Sequence, residues 1–338
     1  MHDALHATPG ELSKQAMLID GQWVSSLEDE WIAVENPATR QAFALVPRAR
    51  SADVDRAVKA AGTAFSRWKK TSAAERGRLL YRIADAMEAA KEDLAKMISR
   101  ENGNALRTQS RGEAALAAEV FRYVAGLARE LKGHSMYLQP ETLDYTRREP
   151  YGVVGAIIPW NAPLVLAALK VAPALMTGNT MVLKASEEAP LAVLAMSKIC
   201  ADHLPAGVLN TITGYGAECG AAIAEHPMIP KISFTGSTAV GRSILAAASQ
   251  RVAAVTLELG GKSAQIVFPD VDCDFVTEGV ITAMRFSRQG QSCTAGSRLF
   301  VHESIADRLI DRLSSRLRAM RVGDPLDESS DAGSLVNE

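Results

Sequence analysis

An α/β fold with a mostly parallel sheet is predicted by three features of the 338-residue chain. From Tyr151 onward short apolar runs alternate with helical segments, several of those runs end in glycine-rich turns, and a polar extended segment precedes the alternation. Apolar runs separated by helices belong to parallel sheets covered on both faces. Hydrophobic residues make up 47% of the chain, enough to fill the cores of two domains.

The elements follow in order. Met17 to Val24 and Trp31 to Val34 read as the two arms of an opening hairpin. Ser72-Ala73-Ala74-Glu75 has the spacing of a capping box, and Leu79, Leu80, Ile83 and Met87 recur behind it at helical spacing. Ser110-Arg111-Gly112-Glu113 repeats that signal before Leu116, Val120, Tyr123, Leu127 and Leu131, with Gly133 as the stop. Residues 135–149 turn polar and extended and read as a hairpin arm leaving the domain, with strand edges that a second subunit would cover. The alternation then runs through strands at Val153 to Ile158, Thr180 to Lys184, Val208 to Thr213, Lys231 to Phe234 and Val252 to Glu258. Helices are expected at Pro163 to Met176 and from Pro190, Ala217 and Ser237. A second, shorter alternation follows Gly260: a strand at Ala264 to Phe268, a helix from Asp274 to Phe286, a strand at Arg298 to Val301 and a helix from Glu303 to Met320. A polar tail opens at Gly323-Asp324-Pro325.

Composition excludes some functions. A net charge of −2 with interspersed signs gives no reason to expect nucleic acid or an anionic membrane. The four cysteines, Cys200, Cys219, Cys273 and Cys293, have no C-x-x-C spacing and the six histidines form no zinc pattern, so no metal is expected and a reducing compartment fits. Met1-His2-Asp3-Ala4-Leu5-His6 lacks the basic start and apolar core of a secretory signal, which makes the cytoplasm the default. The apolar tract Leu164 to Met176 is interrupted by Lys170 and Pro173 and is too short to span a bilayer.

Three turns carry groups suited to acyl-thioester chemistry. Gln289-Gly290-Gln291-Ser292-Cys293-Thr294-Ala295-Gly296 sets a thiol in a loop without large apolar residues, unlike Cys200 on its apolar helix. Glu258 ends an apolar strand ahead of Gly260-Gly261, where a partly desolvated carboxyl would have a raised pKa and could act as a base; a structural salt bridge is the alternative. Asn161, between Pro159 and Pro163, either stabilises a turn or points its amide at a developing oxyanion. Lys170 is a second polar group near the site or the polar face of its helix. Asn161, Glu258 and Lys184 fall at the carboxyl ends of predicted parallel strands, where such sheets bind ligands.

Other turns suit a dinucleotide. Gly214-Tyr215-Gly216-Ala217-Glu218-Cys219-Gly220 follows a strand, but its last gap is one residue longer than the usual fingerprint, and an ordinary strand-to-helix turn explains it as well. Phe234-Thr235-Gly236-Ser237 leads into a helix whose free N–H groups would accept a pyrophosphate, or Ser237 is simply an N-cap. Lys184-Ala185-Ser186-Glu187 places a carboxylate where ribose hydroxyls could bond it, favouring NAD over NADP; the alternative is a solvated charge pair.

Pro159-Trp160-Asn161, Lys184 to Glu187, Phe234 to Gly241, Glu258 to Lys262 and Gly290 to Arg298 together resemble the aldehyde dehydrogenase superfamily, in that order and at its spacings. The resemblance implies a Rossmann-like NAD-binding domain (residues 1–134 and 150–258), a bridging hairpin for homo-oligomer assembly (135–149) and an incomplete α/β catalytic domain (259–338). It implies catalytic roles for Cys293 as nucleophile, Glu258 as base and Asn161 as oxyanion donor, with Lys170 in the same set. The implied cofactor-binding residues are Ile157, Ile158, Pro159, Trp160, Lys184, Ser186, Glu187, Gly214, Gly216, Phe234, Gly236, Ser237, Val240 and Leu259. In the implied reaction the Cys293 thiolate adds to an aldehyde, hydride passes to nicotinamide in water-poor surroundings, and a water activated by Glu258 hydrolyses the thioester to a carboxylate.

Members of the superfamily continue past the point where this sequence stops, through a Glu-x-Phe-Gly-Pro segment at the nicotinamide and a final strand that pairs with a neighbour's hairpin. The expectation is therefore a C-terminally truncated chain with weak or absent turnover, and the rival reading is a catalytically impaired NAD-binding or assembly fragment. A coenzyme A acylating relative is a third reading, against which Glu258 argues for water as acyl acceptor. Arg285 and Arg288 point to an anionic aldehyde or are merely helix-surface arginines.

Overall fold

The structure is a computed structural model that describes residues 12–271 and 274–338; the Met1 to His6 segment and Cys273 lie outside the described residues. Five short strands open it: β1 (Ser13–Lys14), β2 (Met17–Ile19), β3 (Gln22–Val24), β4 (Trp31–Asn36) and β5 (Gln41–Pro47). Helices α1 (Ser51–Trp68), α2 (Ala73–Ala89), α3 (Lys91–Asn102) and α4 (Arg111–Gly126) follow, then the strands β6 (Ser135–Gln139) and β7 (Thr142–Tyr145). The alternating region is β8 (Val153–Ile157), α5 (Pro163–Met176), β9 (Thr180–Lys184), α6 (Leu191–Ala201), β10 (Leu209–Ile212), α7 (Ala221–Glu225), β11 (Lys231–Gly236), α8 (Thr238–Ser249) and β12 (Ala254–Leu259). Last come β13 (Ala264–Val267), α9 (Asp274–Met284), β14 (Arg298–Val301) and α10 (Ala306–Arg318).

Seven strands form the main sheet in the order β12, β11, β8, β9, β10, β2, β3. The five strands from β12 to β10 are parallel, and β2 adds to β10 in antiparallel register. Every residue of β8, β9 and β10 is buried, as expected of strands covered on both faces. The edge strand β12 is only half covered, so its outward residues alternate with inward ones.

The opening hairpin pairs differently from the prediction. β2 turns back on β3 through Asp20 and Gly21, whose φ values of +53° and +73° belong to a two-residue turn matched to strand twist. Trp31–Asn36 instead pairs with β5 in a separate three-stranded sheet. The Asp-Gly dipeptide was the missed signal.

Ser72 caps α2 by accepting from the Glu75 N–H, and Leu80, Ile83 and Met87 are buried beneath it. The second predicted box does not form. Ser110 is already helical, at the end of a wide turn (Leu106–Ser110), and its hydroxyl serves Ser99 and the Asn104 carbonyl. The buried face of α4 is also not the predicted one: Leu116 and Tyr123 are exposed, while Ala114, Ala117, Ala118, Phe121 and Val124 pack inward against α2 and α5. Alanines let helix axes approach closely, and this face outweighs the bulkier stripe. The helix ends at Gly126 rather than Gly133, running on as one tighter turn to Arg129.

The segment 135–149 is a two-stranded hairpin paired only with itself, with all its strand residues exposed. β13 and β14 form a second, parallel pair with a small core of Val267, Val280, Ile281, Ile305, Leu309 and Leu313. The tail is not loose. Arg107 donates to the Glu328 and Ser330 carbonyls, Arg111 pairs with Glu328, and the Leu106 N–H donates to the Pro325 carbonyl, so the tail is laid across the start of α4. Among the described residues no helix is long and apolar enough to cross a membrane.

The two faces of α4 give a direct stability test. Phe121→Ala should cost about 3–5 kcal/mol in chemical denaturation, whereas Leu116→Ala should stay within about 0.5 kcal/mol. Equal losses would contradict the assignment of the buried face.

Candidate active site

Two adjoining cavities lie off the carboxyl ends of the parallel strands. One, of about 560 Å³, runs between the β8 and β11 turns and the helices α7 and α8. The other, of about 310 Å³, is walled by Asn161, Thr235, Glu258, Gln291 and Cys293. Pro159, Trp160, Thr235 and Gly236 line both, so one groove leads into the other.

The thiol cavity draws on segments far apart in sequence. Cys293 sits in a turn and is exposed, whereas Cys200 and Cys219 are buried. Burial drives the Cys200 thiol far above its usual pKa and pushes Cys219 up to about 12, so both stay protonated. Asn161 lies between β8 and α5, and its Nδ2 donates to the Gln291 carbonyl at 2.9 Å, tying it to the thiol loop. That spends one of two N–H groups and leaves the other for a ligand. The Asn161 and Trp160 carbonyls accept from Asn104 and Asn102 at 3.3 Å each.

Glu258 departs from expectation. It stands on the outward side of the edge strand and is exposed, so the desolvation read from its sequence setting is absent. The water-poor surroundings expected for Cys293 are likewise absent, because the thiol is open to solvent. Lys170 does not line the cavity. It is buried under the sheet, its Nζ donates to Ser233 Oγ at 2.9 Å, and burial pushes its pKa down to about 8 against the opposing pull of Glu258. Arg288 turns inward toward Glu113, while Arg285 is exposed in left-handed geometry.

The larger groove is lined by Ile157, Ile158, Pro159, Trp160, Ser186, Glu187, Gly216, Phe234, Gly236 and Val240 of the predicted set. Lys184 lies behind it, buried, and holds Glu187 at 2.5 Å. This is no solvated pair: burial disfavours the Glu187 carboxylate, yet the Lys184 ammonium outweighs that and its pKa is lowered. Ser237 accepts from the Val240 N–H, capping α8 and leaving the first-turn amides free of the helical ladder. Leu259 lines the thiol cavity rather than the groove. Gly214 lines neither. A side chain there would meet the Ala49 carbonyl and the Cys219 sulfur, each at 2.7 Å, which makes it a packing glycine. The long gap after Gly216 is absorbed as a wide helical turn, Gly216–Gly220.

Sequence reasoning missed Glu188, Gly220, Ala221, Ala224, Glu225, Ser243, Ile244 and Ala247 in the groove, and Thr235 and Gln291 at the thiol. The α8 residues follow Val240 at spacings of three, four and seven, so extending that stripe would have found them.

Comparison with known proteins fits this architecture. The aldehyde dehydrogenase family model matches residues 23–338. The chain belongs to the aldehyde dehydrogenase family. It is 42% identical to an aldehyde dehydrogenase of Enchytraeus buchholzi over 95% of this chain and 66% of that one. Among solved structures it resembles the NAD+ complex of an aldehyde dehydrogenase from Bacillus cereus (37% identity, TM-score 0.94, 96% of this chain and 67% of that one). It also resembles PnpE in complex with nicotinamide adenine dinucleotide (41% identity, TM-score 0.93, 95% and 66%). The chain thus spans about 66% of the length of the curated relatives it matches.

Two buried glutamates behind the site give it a pH signature. Glu101 accepts from the Leu191 and Ala192 N–H groups at the start of α6, and Glu113 from Leu164 and Val165 at the start of α5. Burial pushes their pKa values up to about 8 and about 7. A carboxyl with a raised folded pKa contributes stability below its unfolded value and loses it as pH rises through the folded one. Glu101→Gln should therefore be similar to the wild type near pH 5 and gain relative melting temperature as pH rises to 8. A wild type that instead gains over the variant across that range would refute the assignment.

Proposed function

We propose that the chain carries the thiol chemistry of an NAD-dependent aldehyde dehydrogenase, oxidising an aldehyde to a carboxylate through a thiohemiacetal and a thioester on Cys293. The observation that carries this reading is the meeting of Cys293, Glu258 and Asn161 around one cavity that opens from a dinucleotide-sized groove.

The groove fits NAD by its chemistry. An apolar wall of Ile157, Ile158, Phe234 and Val240 suits an adenine ring, and the Lys184-held Glu187 carboxylate is an acceptor for ribose hydroxyls. The exposed start of α8 at Gly236 and Ser237 suits a pyrophosphate. NAD, when bound, supplies the hydride acceptor. Cys293 adds as thiolate to the aldehyde carbon, the free N–H of Asn161 holds the oxygen, and Glu258 takes a proton from the water that releases the acid. Lys170 stands behind the sheet on Ser233, within reach of the Glu258 charge, as a supporting group. In this reading residues 12–134 and 150–258 are the cofactor domain, 135–149 bridge to a second subunit, and 259–338 belong to the catalytic domain. The tail 325–338 lies against the first of these.

The reading of an impaired NAD-binding or assembly fragment is favoured by a different observation: the nucleophile and base are both exposed, and Ile266, Phe268 and Phe300 around β13 and β14 face solvent. Apolar surface of this kind is normally covered. One experiment can overturn the first reading. Iodoacetamide followed by mass spectrometry should label Cys293 at least tenfold faster than Cys200 and Cys219, with NAD changing only the Cys293 rate. Equal labelling of all three, or a Cys293 rate indifferent to saturating NAD, would leave only the assembly reading. By titration NAD should bind more tightly than NADP, and Glu187→Gln should narrow the difference; a tighter NADP would reject the ribose assignment.

A further inference from the structure

We propose that Arg288 and Glu113 are positioning residues that fix the thiol loop against the Asn161 turn. The inference deepens the functional reading above and rests on it for the importance of Cys293, but its geometry stands apart from any turnover.

Glu113 is a buried acid that no step of the chemistry uses. Its Oε1 accepts from the Leu164 and Val165 N–H groups at 3.0 and 3.5 Å, fixing the start of α5 two residues beyond Asn161. Its Oε2 is buried without a hydrogen bond and lies 3.7 Å from the Arg288 guanidinium. Arg288 is five residues before Cys293, and its side chain is 18% exposed. Its Nε donates to Gln109 Oε1 at 3.1 Å, and Gln109 Nε2 donates to Ser287 Oγ at 2.6 Å. The loop therefore meets the first domain at two points, this cluster and the Asn161 to Gln291 bond.

The loop needs such fastening. Arg285, Gln289 and Gly290 all have positive φ, and for the first two that conformation costs energy which surrounding contacts must offset. When Glu113 is ionised, leaving its buried oxygen without the cation costs more than the loss of a surface pair, so above about pH 7 the pair resists separation. One carboxylate thus holds two parts of the site: one oxygen fixes the backbone that presents Asn161, and the other holds the arginine that presents Cys293.

Hydrogen exchange with mass spectrometry on the full 338-residue chain tests this. Arg288→Met should speed exchange in 286–296 at least fivefold, Glu113→Gln should do the same while its amide oxygen keeps the α5 cap, and the double variant should match either single. Arg288→Lys should restore exchange to within twofold of the wild type. Loop exchange within twofold of the wild type in Arg288→Met, multiplicative effects in the double variant, or no rescue by Arg288→Lys would each overturn the proposal. An inert Cys293 in the unsubstituted chain would remove the thiol chemistry while leaving the exchange result to judge the tether.

Discussion

The site depends on how buried helix N-termini are satisfied. α5 and α6 begin directly behind the turns that carry Asn161 and Glu187, inside the molecule where water cannot reach their first N–H groups. An unsatisfied buried donor costs about 1–3 kcal/mol, and each helix start presents several. Glu113 and Glu101 meet that need from residues 51 and 90 positions upstream. A carboxylate is well placed at the positive end of a helix dipole, yet burial opposes its charge, and the raised pKa values record that opposition. The two turns are consequently held by tertiary contacts rather than by their own sequence.

The same dependence extends to the thiol. β13 and β14 form a separate pair with a small core of their own, and Gln265 on β13 holds the end of the thiol loop by donating to the Gly296 carbonyl. The loop is also tied to Asn161, Gln109 and Glu113, all more than a hundred residues earlier in the chain. The tail adds another tie, with the Val336 N–H donating to Gln291 Oε1 at 3.1 Å. The thiol loop is thus tied to residues before position 165 and after position 320 as well as to its own neighbours Gln265 and Ala283.

Much of this was legible in the sequence. The strand and helix alternation after Tyr151 emerged nearly residue for residue, because fully buried parallel strands and their covering helices have unmistakable apolar periods. Ser72 and Ser237 were legible as caps because their bonds are local. Ser110-x-x-Glu113 has the same spacing but did not form a box, since Glu113 was claimed by a helix fifty residues on. The alanine face of α4 was hidden for a related reason: what decides it is how closely α2 and α5 approach, which no single helix records. The placing of Asn161 and Glu258 beside one cavity was legible from strand ends, and that of Cys293 from its glycine-flanked loop and the family resemblance. The exposure of Glu258 was not, because an edge strand and a central one share the same apolar pattern on their covered face.

The electrostatics of the cavity follow from this uneven burial. On one side the Lys184 to Glu187 pair sits largely out of water, where a fixed charge acts strongly on a ligand. On the other, Cys293 and Glu258 face solvent, where the same charges would be screened several-fold more. Preorganised donors are effective in proportion to the water excluded around them. The groove therefore has its dipoles and carboxylate already fixed, whereas the Cys293 thiol and the Glu258 carboxyl line their cavity but are still surrounded by water. Whatever removes that water, whether a bound ligand or further polypeptide over the exposed face of β13 and β14, would strengthen every charge interaction at the sulfur without moving a residue of the groove.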